Sequence, residues 1–471
     1  MRKTKIICTI GPASDREDIL REMCLSGMNV ARLNFSHGTH EEHQQKIDLI
    51  RKVRDELELP IAIMLDTKGP EYRIKTFENH KVRLNDGDTF TFTADDCVGT
   101  NERVSVSYKN LANEVSIGDI ILVNNGLLSF RVKEISGNSV VCEVLTGGEM
   151  SDRKSMNFPN HVLQGDYLSE QDKADILFGI RNGVDFVAAS FVSVRDDVAA
   201  LREFLNANGG GDIDIIAKIE NRSGVDHIDE ICEIADGIMV ARGDLGVEIP
   251  FVEVPSVQKY LIKKCRLLGK RVITATEMLE SMIEKPRPTR AEISDVANAV
   301  YDGSSAIMLS GETASGKYPV AAVKNMAEIA ETTERAIDYR KQFVTTEYDI
   351  QNSIDAVSHA TCAMAVDTRA KGIVISSLSG MTVRMVSRFR PPADIIGMTT
   401  SLKAWRKLNL SWGVTPVLSE EFNSVDVVFY HAMQKAKQIF GLQEGDNVIL
   451  TGGQTNGKSG NTNTIRLETV R

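Results

Sequence analysis

Three charged residues at the ends of two apolar runs suggest what chemistry this chain could perform. Lys218 and Glu220 close the run Ile216-Ala217-Lys218-Ile219-Glu220-Asn221, and Asp244 follows the run Ile238-Met239-Val240-Ala241-Arg242-Gly243. Lys218 and Glu220 are two residues apart, so on a strand they point to the same face. Carboxylates from adjacent strand ends, beside a lysine, suit a hard divalent cation that also holds a phosphate. The plainer alternative is an ordinary Lys218–Glu220 ion pair, and the fact that neighbouring strands end in the same way weighs against it.

Those neighbours supply the rest of a site. Arg32, Asn34 and Ser36 follow one apolar run, and Asp66, Thr67 and Lys68 another. Further on come Ser190, then Arg242 with Gly243, then Thr274 with Thr276, then Ser310 with Gly311 and Glu312. Thr9 ends the first run. The set holds cations for phosphate and carboxylates for a divalent metal. Asn34, Ser36, Asp66 and Thr67 are short oxygen donors that suit an easily dehydrated cation such as potassium. No serine–histidine–acid arrangement is evident, and no GxxxxGK[ST] or clear GxGxxG motif occurs, so any nucleotide is held by other means. The combination points to phosphoryl transfer driven by positioning and electrostatics, with Lys218 meeting charge on the moving group. Purely structural roles are the alternative for several residues: His37 as a turn cap, Arg242 as an orienting salt-bridge partner, Glu312 as a support. Met278 and Met282, four apart on an expected helix, read as core.

Elements must bring these residues together. Near-continuous apolar runs at 6–10, 29–35 and 61–66 read as strands covered on both faces, with helices at 15–25 and 41–57 between them. From 71 to 168 the rhythm breaks into short strand-like runs, such as Thr89–Thr93 and Ile120–Val123, separated by turn signals such as Asn85-Asp86-Gly87 and Asn125-Gly126. Ser169 then caps a helix to Asn182. Strands follow at 185–192, 214–221, 236–243, 271–277 and 305–310, with helices at 194–208, 224–235, 255–268 and 289–302, and a last helix at 319–341. Three strands before the insert and five after it make a (β/α)8 barrel, in which active sites form at the carboxyl ends of the strands. The expected organisation is therefore α/β: a TIM barrel from residues 1–70 and 169–342, an inserted small β-barrel lid over 71–168, a linker at Phe343–Ile350, and a C-terminal α/β domain over 350–471.

Bulk properties narrow the class. The 471 residues are too many for one ordinary domain, and 42% apolar content supports real cores. A formal net charge of −10 argues against nucleic acid or anionic membrane as a broad partner. Seven scattered cysteines without a CxxC fit a reduced, cytoplasmic protein without structural zinc. The start lacks the apolar run of a signal peptide, and no stretch reaches membrane-spanning length.

Long motifs across the chain resemble the pyruvate kinase family. They are Arg32-Leu33-Asn34-Phe35-Ser36-His37-Gly38, Leu65-Asp66-Thr67-Lys68-Gly69-Pro70-Glu71, Ala217–Asn221, Met239–Gly246, Lys285-Pro286-Arg287-Pro288-Thr289-Arg290-Ala291-Glu292 and Met308-Leu309-Ser310-Gly311-Glu312-Thr313. The resemblance implies phosphoryl transfer from phosphoenolpyruvate to ADP, giving pyruvate and ATP. By resemblance, Arg32 contacts the substrate phosphate, and Asn34, Ser36, Asp66 and Thr67 hold K⁺, with Glu71 the residue of potassium-dependent members. Glu220 and Asp244 bind Mg²⁺ (or Mn²⁺), and Lys218 stabilises the transferring phosphoryl. Gly243 and Thr276 contact the substrate carboxylate. Arg73 and Lys154, with Asn34 and His37, serve the nucleotide. Thr276 and Ser310 are the candidates for protonating the enolate, and the insert is a lid. A homotetramer is expected.

Three departures from the family pattern stand out. Glu277 replaces a common glutamine, which allows a changed metal shell, a shifted pKa or only a different hydrogen bond. Asn124-Asn125 replaces a common Asp-Asp in the lid. The return segment Asn160–Asp166 is unusual. In the C-terminal domain Ser376, Ser377, Ser379, Gly380 and Thr382 end a strand and open a helix, where hydroxyls and amides suit a phosphorylated effector, a sugar phosphate or a nucleotide; a simple helix cap is the alternative. The loop 452–461 offers only Lys458 as a cation and lacks the tryptophan and arginine of some fructose-bisphosphate-activated members. The chain is too short for the extra phosphohistidine-type domain of some bacterial members. Two other functions compete, a non-catalytic phosphometabolite sensor and another phosphoenolpyruvate-using barrel enzyme; retention of Lys218, Glu220 and Asp244 argues against the first, and the β insert and third domain against the second.

Overall fold

The fold is that of a computed structural model, which describes residues 1–70, 72–159, 166–453, 460 and 462–471. Glu71, the segment Asn160–Gly165 and most of the loop carrying Lys458 lie outside the described residues.

Eight parallel strands close into a barrel: β1 (Lys5–Thr9), β2 (Val30–Asn34), β3 (Ala62–Asp66), β4 (Phe186–Ala189), β5 (Asp214–Ile219), β6 (Gly237–Ala241), β7 (Arg271–Ala275) and β8 (Ala306–Leu309). Each pairs with its sequence neighbours, and β8 closes on β1. Period-two alternation divides the side chains. Ile7, Val30, Met64, Phe186, Ala188, Ile216, Met239, Ile273 and Met308 fill the barrel's interior, while Ile6, Leu33, Leu65, Val187, Ile215 and Val240 pack outward in the larger core. Leu410, from the C-terminal domain, joins the interior cluster and plugs the barrel's lower end.

Local signals set the helices as expected at several points. Ser169 accepts from the Asp172 amide, and Thr39 and Thr289 form reciprocal capping boxes with Glu42 and Glu292. Other elements depart from expectation. The helix expected at 224–235 is two, Arg222–Asp226 and Ile228–Ile234. The last barrel helix stops at Arg335, and a new one, Tyr339–Thr345, occupies the start of the expected linker. Its Phe343 is buried in the C-terminal core, so an apolar anchor replaces a free connection. Met278 and Met282 are fully buried as expected, but in a turn and a 3-10 helix. Helices Leu402–Leu408 and Val425–Phe440 are additions to the sequence reading.

The expected small β-barrel lid takes the form of a seven-stranded sheet and a two-stranded one sharing a core of Phe90, Phe92, Phe130, Leu84 and Met150. The C-terminal sheet has five strands, in the order Val414–Leu418, Asp394–Thr399, Gly372–Ser376, Asn447–Gly453, Thr462–Thr469, with only the last antiparallel. It docks under the barrel through Arg406–Asp185 at 2.8 Å and Lys407–Asp214 at 2.7 Å. No described helix is long and apolar enough to cross a membrane.

Candidate functional site

The alternation that fills the barrel also aims the site. On β2 the inward series runs Val30, Arg32, Asn34. On β3 it runs Ala62, Met64, Asp66, and past β4 it runs Ala188, Ser190. On β5 it runs Ile216, Lys218, Glu220. The same phase that buries apolar groups at the floor thus delivers charge to the mouth.

These side chains form one linked chain across neighbouring strand ends. Arg32 donates to Asp66 at 2.6 Å and to the Thr9 hydroxyl at 2.9 Å. The other Asp66 oxygen lies 3.2 Å from the Lys218 ammonium, which also meets Glu220 at 2.9 Å. All four are buried. Burial opposes ionisation of Asp66, but Arg32 and Lys218 outweigh it and hold its pKa below the ordinary carboxylate value. Burial likewise opposes the Lys218 charge, yet Asp66 and Glu220 hold its pKa above that of a free lysine. Glu220 goes the other way. Burial, opposed by Lys218 and reinforced by the charge of Asp244, raises it to about 7.

Ser190, the polar residue that the sequence places directly after the fourth strand, is the hub. Its hydroxyl accepts from Lys218 at 2.7 Å and lies 3.3 Å from Asp66, and it donates to the Thr67 carbonyl at 2.7 Å. The next amide, Phe191, donates to Glu220 at 2.6 Å from a left-handed backbone (φ 55°). The signal was present: Ser190 continues the inward series of Phe186 and Ala188.

On the opposite wall Thr276 and Glu277 both have positive φ, 67° and 53°. Arg242 holds this turn. It donates to the carbonyls of Thr276 and Glu277 at 2.6 and 3.1 Å and pairs with Asp295 at 2.7 Å. The Thr276 hydroxyl accepts from the Gly243 amide at 2.8 Å. The Glu277 side chain is exposed, and Asp244 is exposed beside the mouth. Thr274 faces away, bonding Ser304 at 2.8 Å, because it has the outward phase of β7. Glu312 is a structural clamp that accepts from the Ser310 and Leu279 amides at 2.7 and 2.9 Å. The buried Ser310 hydroxyl has no partner among the described residues.

Two cavities open here. One, of about 670 Å³, is lined by Thr9, Arg32, Asn34, His37 and Ser310. The other, of about 340 Å³, lies between barrel and lid and is lined by Arg73, Asn124, Asn125, Lys154 and Asp244. The expected nucleotide set is therefore divided between them. Asn157 of the lid donates to Glu248 of the barrel at 2.8 Å and holds the second cavity closed on one side. Asn124 and Asn125 have φ of 57° and 55°, a conformation asparagine tolerates better than most residues. His37 is exposed, and its carbonyl accepts from His43 at 2.9 Å, so its backbone makes the turn and its ring is left at the cavity.

Among the described residues no three His, Cys, Asp or Glu side chains converge on one metal position. Magnesium is commonly held by one or two carboxylates, with water and substrate phosphate completing the shell, so Glu220 and Asp244 fit it. For potassium, Asn34 Oδ1 accepts from the Ser36 amide at 3.1 Å and the Ser36 side chain is exposed. The Thr67 hydroxyl is committed to the Ala188 carbonyl and the Ser190 amide at 3.3 and 3.1 Å, and the Thr67 carbonyl accepts from the Ser190 hydroxyl at 2.7 Å. The set offers the hard oxygens such an ion needs.

In the C-terminal domain the Ser377 hydroxyl accepts from Gly380 at 3.1 Å and Thr382 pairs with Thr462 at 2.7 Å. Ser376 is half-buried and Ser379 exposed beside them, and the opposing loop lies outside the described residues.

Comparison with known proteins agrees across the chain. A family profile described as pyruvate kinase, barrel domain, matches residues 1–323, and one described as pyruvate kinase, alpha/beta domain, matches residues 355–468. The chain is 46% identical over 472 residues to a pyruvate kinase of Clostridium acetobutylicum, covering 100% of both. It is 47% identical to a pyruvate kinase of Geobacillus stearothermophilus, covering 100% of this chain and 80% of that protein. A crystal structure of a pyruvate kinase from Cryptosporidium parvum superposes with a TM-score of 0.94 at 38% identity, covering 100% of this chain and 96% of that one.

Proposed function

The chain belongs to the pyruvate kinase family, and on that premise we propose that its barrel mouth transfers the phosphoryl group of phosphoenolpyruvate to ADP with the residues assigned below. The observation that carries the reading is the bridge Arg32–Asp66–Lys218–Glu220, which sets two cations and a metal-competent carboxylate on adjacent strand ends.

Arg32 receives the substrate phosphate from the first cavity. Lys218, kept protonated by its two carboxylates, lies where charge builds on the moving phosphoryl. The Gly243 amide and the Thr276 hydroxyl, fixed on each other and braced by Arg242, receive the substrate carboxylate. Ser310, with an unengaged hydroxyl among the described residues, and Thr276 are the candidates to pass a proton to the enolate. Arg73 and Lys154, facing Asp244 across the second cavity, take the nucleotide phosphates, and Asn34 and His37 line the path on the other side. Glu220 and Asp244 would hold Mg²⁺ (or Mn²⁺), which would neutralise charge developing on the transferring phosphoryl. Asn34, Ser36, Asp66 and Thr67 hold K⁺. The lid excludes water from the transfer. The loop of Ser376, Ser377, Ser379, Gly380 and Thr382 takes a phosphorylated effector, and the active form is a homotetramer.

The test is steady-state turnover of phosphoenolpyruvate with ADP and Mg²⁺, with and without K⁺, for the protein and for Lys218→Met. Turnover that needs K⁺ and collapses in the variant is expected. Indifference to K⁺ removes the Asn34, Ser36, Asp66 and Thr67 assignment, and full activity of the variant removes that of Lys218.

A further inference from the structure

The underside of the barrel carries a concentration of charge that the mouth does not use. There the end of helix Val254–Leu267 and the start of β7 meet the C-terminal helix Met381–Arg388. Arg266, Lys270 and Arg271 face Arg384, Arg388 and Arg390 around one cleft, and no carboxylate lines it. Some of this charge is answered behind the wall. Asp214 pairs with Arg271 at 2.6 Å, Asp236 with Arg384 at 3.6 Å and Asp355 with Arg388 at 3.3 Å. Arg390, 5% exposed, has no carboxylate at salt-bridge distance among the described residues; it donates to the Gly303 carbonyl at 2.9 Å and the Ser305 hydroxyl at 3.2 Å and lies 4.4 Å from the face of Trp412, with the charge of Glu334 acting on it only from farther off. Among the described residues the Arg266 guanidinium donates to the Thr346 hydroxyl alone, at 3.4 Å.

The donors left over point the same way. The Nε atoms of Arg266, Arg384, Arg388 and Arg390, and Nη1 of Arg390, are buried without an acceptor among the described residues. Buried donors are nearly always satisfied, and exceptions call for an unseen water or ion. Clustered buried cations raise the cost further unless an anion joins them. Burial and the neighbouring Arg266 lower Arg390 to about 9, which is the electrostatic face of the same crowding.

We propose that this cleft is an anion site that takes one inorganic oxyanion of the phosphate or sulfate type between the barrel and the C-terminal domain. Guanidinium forks match tetrahedral oxyanions better than they match a spherical ion. The space open to water-sized atom centres is about 20 Å³, enough for one small ion and too little for a sugar or a base. The site is thus separate from the proposed effector loop at Ser376–Thr382. Because Arg266 and Arg271 come from the barrel and Arg388 and Arg390 from the other domain, the bound anion ties the two together.

Thermal unfolding tests this with inorganic phosphate against chloride at matched ionic strength. Phosphate is expected to raise the midpoint by about 2–4 °C more than chloride does. Arg390→Gln and Arg266→Gln should each lose that increment, while Ser379→Ala, altered at the effector loop, keeps the part they lose. The same increment in the wild type and both arginine variants overturns the proposal. Should neither arginine variant fold, wild-type crystals soaked in selenate decide. An anomalous peak within hydrogen-bonding distance of Arg390 and Arg266 supports the site, and a cleft without one overturns it.

Discussion

Asp66→Asn separates organisation of the barrel mouth from mere presence of charge. The substitution keeps the side chain's size, so no cavity opens. It removes the negative charge that, among the described residues, bridges Arg32, at 2.6 Å, and Lys218, at 3.2 Å, in a residue 1% exposed. Each such pair is worth about 4 kcal/mol at an effective dielectric of about 20, and desolvation of Asp66 cancels a large share. Breaking a buried pair by removing one partner costs about 3–5 kcal/mol, because the cations left behind stay buried. The sign with pH follows from the lowered pKa of Asp66. Its stabilisation is present above the ordinary value of 3.8 and is lost as pH falls through the folded-state value. The wild type and the variant should therefore differ fully at neutral pH and converge in acid. The assay is denaturant unfolding at both pH values, beside kcat/KM for phosphoenolpyruvate. If Arg32 and Lys218 lose their alignment, kcat/KM should fall by about 100-fold, equivalent to about 2.7 kcal/mol. An unchanged unfolding midpoint with undiminished kcat/KM would refute the view that Asp66 organises the two cations.

Arg242→Met should destabilise the protein by about 2–3 kcal/mol, after discounting for the partly open Asp295, and should lower kcat/KM by freeing Thr276; wild-type turnover in a folded variant would show that the turn holds itself. Glu220, raised from 4.5 to about 7, must lose its proton to bind a metal, so Mg²⁺ affinity should fall about tenfold per pH unit below that value. In the metal-free protein the same group contributes stability below pH 4.5 that is lost as pH rises through about 7. Calorimetry across neutral pH reads the affinity, and a flat profile contradicts the assignment. Asn125→Val places a β-branched residue at φ 55° and should cost the lid hairpin about 1–2 kcal/mol, read as faster amide exchange over Ile120–Ser136 and a raised KM for ADP; unchanged exchange would mean that the turn relaxes without penalty.

What was legible in the sequence follows from how each feature is encoded. The barrel strands are apolar on both faces and stand out as continuous runs, and the polar residues closing them could be ordered by counting in twos. The central place of Ser190 is not encoded locally, because a lone serine gains its role only when two neighbouring strands bring Lys218 and Thr67 to it. Thr274 shows the opposite: it lies near a strand end but in the outward phase, and its hydroxyl faces Ser304. The helix break before Tyr339 is tertiary, because the pull on Phe343 comes from a core that the local sequence does not contain. Asn124 and Asn125 depart from the family pattern at two positive-φ positions, which only the backbone reveals and which asparagine tolerates.

The two ends of the barrel solve one electrostatic problem in different ways. At the mouth, charges alternate: Arg32, Asp66, Lys218 and Glu220 are each within 3.2 Å of an opposite partner, so both cations can be buried without a ligand. That pairing also makes them available. Under the proposed reading, Glu220 would share its charge between Lys218 and the metal that it would hold with Asp244, and an incoming phosphate would offer the ammonium a replacement partner. Asp66 keeps its grip on both cations throughout, so the geometry survives the exchange. At the base the alternation fails at the half-buried Arg266 and the buried Arg390, neither of which meets a carboxylate at salt-bridge distance among the described residues. The same rule that explains why the mouth is stable while empty therefore explains why the cleft at the base should not be.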